Sequence, residues 1–458
     1  MDHNRRRFLR AATAGGLAYA FGRAPGSVMA QVASVNTLTD YKALVCLFLF
    51  GGNDSWNMVV PRSTAEYNVY KTSRQNLAVD QAALLPINPL TPGAAQYGFH
   101  PSMAELQGLF ESNRCAVMPN IGPLIAPITK AQYQAGSVPL PPQLFSHNDQ
   151  QDQWHSLKGR SLSKTGWAGR VADVLASQTA GQQLATNISL AGQTLFQAGS
   201  IAVPYTMGAT GAQTFTGFGT TGINLARRNA FETLAMTDYS DVYERAFAAT
   251  QQRAVRYADS VNTAIMSARP TLAPLFETAS TNPSLASLSR QLLTVARMID
   301  VRDRLTMTRQ IFFISLGGFD THDDQLDDQP NLYAGISKAL KAFHDATVQM
   351  GISDRVVAFT QSDFGRTLTS NGDGSDHGWG GIQLAVGDAV KGREFYGSYP
   401  LLQIGGINDV SAGRMIPTTS SDQYAATLAK WFGVTDAQLS QVAPSIDNFA
   451  TKDLGFLI

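Results

Sequence analysis

Four runs of apolar residues stand out from a mixed background: Ala43–Phe50, Cys115–Asn120, Gln310–Leu316 and Arg355–Thr360. They are continuous rather than alternating, which suits strands covered on both faces, as in a parallel sheet. Pro400–Ile404 is a weaker fifth candidate. Helical patterns fall between the runs, over Ser102–Ser112, Gly166–Leu175, Asn331–Met350 and Asp422–Trp431. Strands alternating with helices predict an α/β fold with a mostly parallel central sheet flanked by helices.

Between about 178 and 306 the texture changes. Gly/Thr/Ala-rich segments near 190–222 read as short antiparallel strands or loops, and 223–305 as several helices. The expectation is a single α/β domain over residues 31–458 carrying a largely helical insertion at about 178–306.

The N-terminus has a different grammar. Arg5-Arg6-Arg7-Phe8-Leu9 is followed by a weakly apolar run, Ala11–Phe21, and by Val28-Met29-Ala30, a small-residue cleavage site. A basic region, a short apolar region and small residues at the cut form a secretory signal, and paired arginines before Phe-Leu mark the twin-arginine kind. The apolar run is shorter than the roughly 20 residues that span a bilayer. Residues 1–30 are therefore expected to be a signal peptide read by the twin-arginine translocase, which carries folded cargo, with the mature protein in the periplasm or cell envelope. No later segment predicts a stable membrane span.

Charge narrows the function classes. The chain has 35 basic and 35 acidic residues, and only 15% of its residues are charged, so nothing points to nucleic acid or to an anionic membrane. No Gly-x-Gly-x-x-Gly follows a strand and no cysteine cluster or haem motif is present, which disfavours an oxidoreductase. Cys46 and Cys115 both fall in apolar runs. One disulfide suits an oxidising compartment; two buried thiols acting as small hydrophobes is the favoured alternative.

Candidate chemistry gathers just past the strands, where open α/β sheets bind ligands. Gly51-Gly52-Asn53-Asp54 follows the first run and Gly317-Gly318-Phe319-Asp320-Thr321-His322 the third. Ser362-Asp363-Phe364-Gly365-Arg366-Thr367 follows the fourth, with Asp376-His377-Gly378 beyond. If these ends are neighbours, Asp54, Asp320, His322, Asp363 and His377 converge, and carboxylates with imidazoles are ligands for one or two zinc, manganese or iron ions. Any one of the aspartates alone would more often be a helix N-cap. Arg366 suits an anionic substrate, since guanidinium matches phosphate or sulfate oxygens; a salt bridge to Asp363 or Asp376 is its structural alternative. A fourth cluster runs from Ser146 and His147 to Trp154 and His155. Two readings of Ser146 stand there: a nucleophile activated at a helix start, with His147 as ligand or base, or an N-cap beside a loop histidine. His100 and His344 read as structural, His344 on a helix surface.

Taken together, Phe50–Pro61, Ser146–Trp154, Gly317–His322 and Ser362–Thr367 with Asp376–Gly378 resemble family 1501 of the domains of unknown function, over essentially the whole mature chain. That family is similar to a distant branch of the alkaline phosphatase and sulfatase superfamily, whose members hold two metals on an α/β sheet beside a Ser, Thr or modified Cys nucleophile. The resemblance implies Asp54 as the early metal aspartate, Asp320 and His322 as the middle pair, Asp363 as the late aspartate and His377 as the last histidine. Phe364 stands where the superfamily has a histidine next to the late aspartate, one residue rather than three separates Asp320 from His322, and Asp363 replaces a Glu. The function this implies is hydrolysis of phosphate or sulfate esters by a divalent metal. The alternative is a non-catalytic envelope protein whose altered site binds a glycan or a protein partner.

Overall fold

The computed structural model describes residues 38–91, 93, 95–159, 163–277 and 283–458. Residues 1–30, expected to be a signal peptide, lie outside the described residues. In chain order the strands are β1 (Lys42–Leu49), β2 (Val59–Pro61), β3 (Leu85–Ile87), β4 (Tyr97–Phe99), β5 (Cys115–Gly122), β6 (Asn187–Ser189) and β7 (Tyr205–Thr206). They continue as β8 (Arg309–Leu316), β9 (Val356–Ser362), β10 (Arg366–Ser370), β11 (Ser375–His377), β12 (Gly381–Val386), β13 (Glu394–Phe395) and β14 (Thr419–Ser420).

The central sheet runs β13-β5-β12-β9-β1-β8-β6-β7, with β14 also on β5. Every pairing in it is parallel except those of β12, which is antiparallel to both β5 and β9. The molecule is thus an α/β protein with a mostly parallel sheet flanked by helices. Alternate residues of β1 serve opposite faces. Val45, Leu47 and Leu49 pack with Leu106, Leu288 and Phe343 on one side, and Leu44, Cys46 and Phe48 with Trp167, Val171 and Leu428 on the other. Both sides are covered, which is why the run is apolar throughout.

Several expectations need correcting. Pro400–Ile404 forms no strand; the edge of β5 is taken by β13 instead, and Pro400 has no N–H to give a ladder. The segments near 190–222 contribute strands to the main sheet, and these are parallel: Asn187–Ser189 lies against β8 and Tyr205–Thr206 against β6. The helix expected from Asn331 begins at Gln325, with Pro330 inside it. His344 is buried, its Nε2 2.9 Å from Asp388 Oδ1. Beyond β7 the chain continues as helices Gly222–Ala235, Val242–Met266 and Pro283–Asp300. Among the described residues, no helix is long and apolar enough to cross a membrane.

Cys46 and Cys115 are free and buried. They sit on opposite faces of the sheet, and β9 and β12 separate their strands. Three strand spacings come to about 14 Å, against the roughly 7 Å between Cα atoms that a disulfide allows. Burial pushes both thiols above their ordinary range. An aromatic disulfide reagent is therefore expected to find no reactive thiol in the native protein and two after denaturation, and reductant should leave the melting temperature unchanged. A native protein that shows no thiol even when unfolded would contradict this arrangement.

Candidate metal centre

Leu49 of β1 pairs with Leu316 of β8 on one side and Ser362 of β9 on the other. Three loops therefore leave the sheet at one level, side by side. Gly51 and Gly52 both adopt positive φ, and a Cβ on either would collide, with the Asp320 backbone or with the Phe364 ring. Only glycine lets the first loop lie this close to the other two.

The helix His147–Ser156 closes the fourth side. His147, Gln150 and Gln151 recur at i, i+3 and i+4 and so share one helix face. Gln151 Nε2 donates to Asp363 Oδ2 at 2.8 Å and Gln150 Nε2 to the Asp363 carbonyl at 3.2 Å. Asp363 Oδ2 also takes the Gly51 N–H at 3.2 Å and His147 Nδ1 at 2.7 Å. Asp363 is fully buried. Burial drives its carboxyl above the ordinary range, against the opposing pull of Gln151 and His147.

Three imidazoles meet above this layer. His147 Nε2, His377 Nε2 and Asp320 Oδ1 are 3.1, 3.5 and 3.6 Å apart. His322 Nε2 lies 2.9 Å from His377 Nε2 and 3.2 Å from Asp320 Oδ1. Each ring is fixed from behind through Nδ1, on Asp363 for His147, on the Phe145 carbonyl at 2.7 Å for His377, and on Asp376 at 3.2 Å for His322. Those partners only accept, so Nδ1 carries the proton and Nε2 of the neutral ring presents a bare lone pair. The His147 and His377 Nε2 lone pairs and Asp320 Oδ1 all lie within 4.8 Å of one another with no proton between them, which is repulsive without a cation; His322 Nε2 adjoins His377 and Asp320. Tetrahedral bonds of about 2.0–2.1 Å separate ligand atoms by about 3.3 Å, close to these spacings. Nδ1-to-oxygen support is also the usual outer arrangement of metal-bound histidine. The residues fit a metal ion.

The electrostatics agree. Burial holds the His377 ring below the ordinary imidazole range, and the Phe145 carbonyl only partly offsets it. Burial alone would raise the Asp320 carboxyl, but Arg366 Nη1, 2.9 Å from Oδ1, pulls it below the ordinary range. Phe364 is buried, and its ring centroid lies 4.8 Å from that of His147 and 4.7 Å from that of His377. It seals one flank of the cluster with hydrocarbon.

The structure thus brings Asp320, His322 and His377 together with His147, a candidate ligand or base from the sequence, and sets Asp363 behind His147, on its Nδ1. It does not bring in Asp54. That carboxylate is buried in an ion pair with Arg74, and its Oδ2 also accepts from Gln325 at 2.6 Å and Ser375 at 3.3 Å. Arg366 is buried as well, its N–H groups spent on the Gly51 and Ser375 carbonyls and on Asp320, so its ion pair is with Asp320 rather than Asp363 or Asp376. Ser146 occupies the N-cap position of its helix, but its hydroxyl does not cap; Oγ donates to Asp149 Oδ2 at 2.7 Å. Arg414 was not singled out in the sequence. Its Nε donates to the His377 carbonyl at 2.9 Å and its guanidinium lies 5.0 Å from the Phe145 ring centroid. Among the described residues no carboxylate is within ion-pair distance of it. Nothing in the sequence near Arg414 announces it.

Fold and site define an α/β protein with an imidazole–carboxylate cluster at the carboxyl ends of its central strands. Residues 41–446 match the family model described as protein of unknown function (DUF1501), and the chain belongs to that family. No curated protein matches the sequence. Among solved structures, it is similar to the lipoteichoic acid synthase LtaP from Listeria monocytogenes, at 8% identity and a TM-score of 0.34, covering 90% of this chain and 76% of that one. It is also similar to the soluble domain of lipooligosaccharide phosphoethanolamine transferase A from Neisseria meningitidis, at 7% identity and a TM-score of 0.34, covering 89% and 93%. A third is Ps i-CgsB in complex with a neocarrahexaose, at 10% identity, a TM-score of 0.31 and coverage of 89% and 77%.

The Asp54–Arg74 pair yields a prediction that separates support from chemistry. Arg74→Met leaves a buried carboxylate without its counter-ion, a change that typically costs about 3–5 kcal/mol. Urea denaturation of the variant should show a loss of that size, with the metal bound per folded chain unchanged. A loss below about 1 kcal/mol, the range of exposed pairs, would mean the pair is not buried.

Proposed function

We propose that this protein is an exported, metal-dependent hydrolase of phosphate or sulfate esters. The observation that carries the reading is the convergence of the His147 and His377 Nε2 lone pairs on Asp320 Oδ1, both imidazoles fixed through Nδ1, with His322 Nε2 adjoining. His147, His377 and Asp320 would hold the ion, with His322 beside His377 and Asp320. A set rich in imidazole suits zinc, iron or manganese in that order of nitrogen preference, rather than magnesium or calcium. With Asp54 committed to Arg74 and Phe364 on the flank, the ligands suffice for one ion. The motif resemblance supports the same reading.

Such an ion supplies Lewis-acid polarisation of the ester and a nucleophile of lowered pKa. The chain's own groups do the rest. Asp363 and the Phe145 carbonyl keep His147 and His377 in the tautomer that presents Nε2. Arg366 fixes the Asp320 carboxylate from beneath. Ser146 is the proposed nucleophile, beside His147 at a helix start, and Asp149 is placed to accept its hydroxyl proton. Arg414 takes the part first assigned to Arg366: stacked on Phe145 and tethered to His377, it is the cation available for the remaining negative charge of a small anionic ester.

A second reading has its own observation. Two candidates from the sequence, Asp54 and Arg366, are consumed inside the protein, as expected of a site kept for binding a glycan or partner without turnover. On either reading the twin-arginine signal is proposed to deliver the folded protein to the periplasm or cell envelope, through the twin-arginine translocase.

Elemental analysis of the mature protein should find one equivalent of zinc, iron or manganese. His377→Ala should remove it, and Asp363→Asn should weaken it by about 10–100-fold, the range for lost outer-shell support. Hydrolysis of aryl phosphate or aryl sulfate should disappear with the metal. Arg414→Gln should raise KM for the ester several-fold while leaving the metal in place. Metal without turnover, together with glycan-dependent stabilisation, would favour the second reading; absence of metal and of turnover would refute the first.

A further inference from the structure

The helices Gly222–Ala235 and Val242–Met266 form a hairpin that stands apart from the chemistry. The first of them has no buried residue along its 14 positions. What holds it is local: Arg228 bridges Glu232 and Asp259, and the rings of Phe215, Phe218 and Phe231 pack with centroids 5.1–5.3 Å apart. The far end of the second helix is anchored in the core through Val261 and Ile265. The near end is not.

At the tip, exposed apolar side chains stand among a few acidic ones. Leu234, Met236, Val242, Tyr243 and Phe247 are 61%, 64%, 60%, 82% and 67% exposed. Phe231, Leu234, Tyr239 and Phe247 line a groove of about 300 Å³ between the two helices, with Glu244 and Gln251 also on its wall. Scattered exposed apolar residues are ordinary, but a contiguous cluster of this kind marks an interaction surface. An aromatic side chain offers roughly 150–250 Å², so Tyr243 and Phe247 at this exposure present on the order of 300 Å², to which Leu234, Met236 and Val242 add. A standard interface buries about 800 Å² on each partner.

We infer that two copies of this chain pair through the tips of these hairpins, around a twofold axis, with Phe247 and Leu234 of each entering the groove of the other. Charge favours a second copy over a lipid surface. Residues 222–266 contain five basic and five acidic side chains, and the tip itself bears Asp238, Asp241 and Glu244, which an anionic bilayer repels. Arg245 has no carboxylate within ion-pair distance among the described residues; it donates to the Tyr239 and Ser240 carbonyls. An isologous pairing brings it to the acidic rim of the other tip. The inference is independent of the metal reading, because the hairpin contributes no residue to the metal centre.

Sedimentation velocity of the mature protein over a wide concentration series tests this. The wild type should sediment as a dimer, and Phe247→Glu should raise the dimer dissociation constant at least about tenfold. Tyr243→Arg, at a position 82% exposed, should do the same with no loss of fold, read from circular dichroism and melting temperature. A wild type that stays monomeric at the highest concentration overturns the inference, as does a dimer indifferent to both variants. So does a monomer that instead co-sediments with phosphatidylglycerol vesicles.

Discussion

Leu49, Leu316 and Ser362 stand at the same level of three adjacent parallel strands, and the chemistry of the molecule depends on that alignment. Parallel pairing places the three following loops at one edge, and a shift of one residue in either ladder would send every side chain of that strand to the wrong face. The loops then lie so close that Gly51 and Gly52 have no room for a side chain. Once there, they carry polar groups out of reach of water, and these must find partners inside the protein. Asp54 finds Arg74, Arg366 finds carbonyls and Asp320, and Asp363 finds Gln151, His147 and the Gly51 N–H. The imidazole cluster rests on that layer.

This explains the division of labour among groups that look alike on paper. Asp54, Asp320 and Asp363 each follow a buried strand, yet only Asp320 reaches the meeting point of the imidazoles, with half its side chain open to solvent. Asp54 is the counter-ion of a buried arginine and Asp363 the orienting group for a histidine. Position after a strand decides which aspartates gather; burial and the nearest donor decide what each one does. Phe364 contributes differently, packing apolar surface against two rings and so limiting how many ligands the cluster can recruit.

Much of this was legible in the sequence. Continuous apolar runs reveal doubly covered strands because burial on both faces leaves no alternation, and β1, β5, β8 and β9 were found on that basis. The strand-end motifs pointed to Asp320, His322 and His377 because the chemistry of a site lies at such ends. What was hidden depends on distance in space. Gly381–Val386 follows Gly378-Trp379-Gly380 and so resembles loop, although it is the antiparallel member between β5 and β9. The Asp54–Arg74 pair joins residues 20 apart whose partnership no spacing rule encodes. His344 was misplaced because its partner, Asp388, comes from a distant turn. Arg414 sits in a short loop without periodicity, and only the tertiary contact with His377 and Phe145 gives it meaning.

The two thiols on opposite faces of the sheet have a consequence for how the molecule is made. No covalent cross-link joins them, so the native topology needs no oxidant and no isomerase to reach it. Every interaction that defines the fold can form in a reducing compartment. A chain stapled by disulfides would have to finish folding after meeting an oxidising environment; this one can be complete beforehand, the condition that a route for folded cargo would impose.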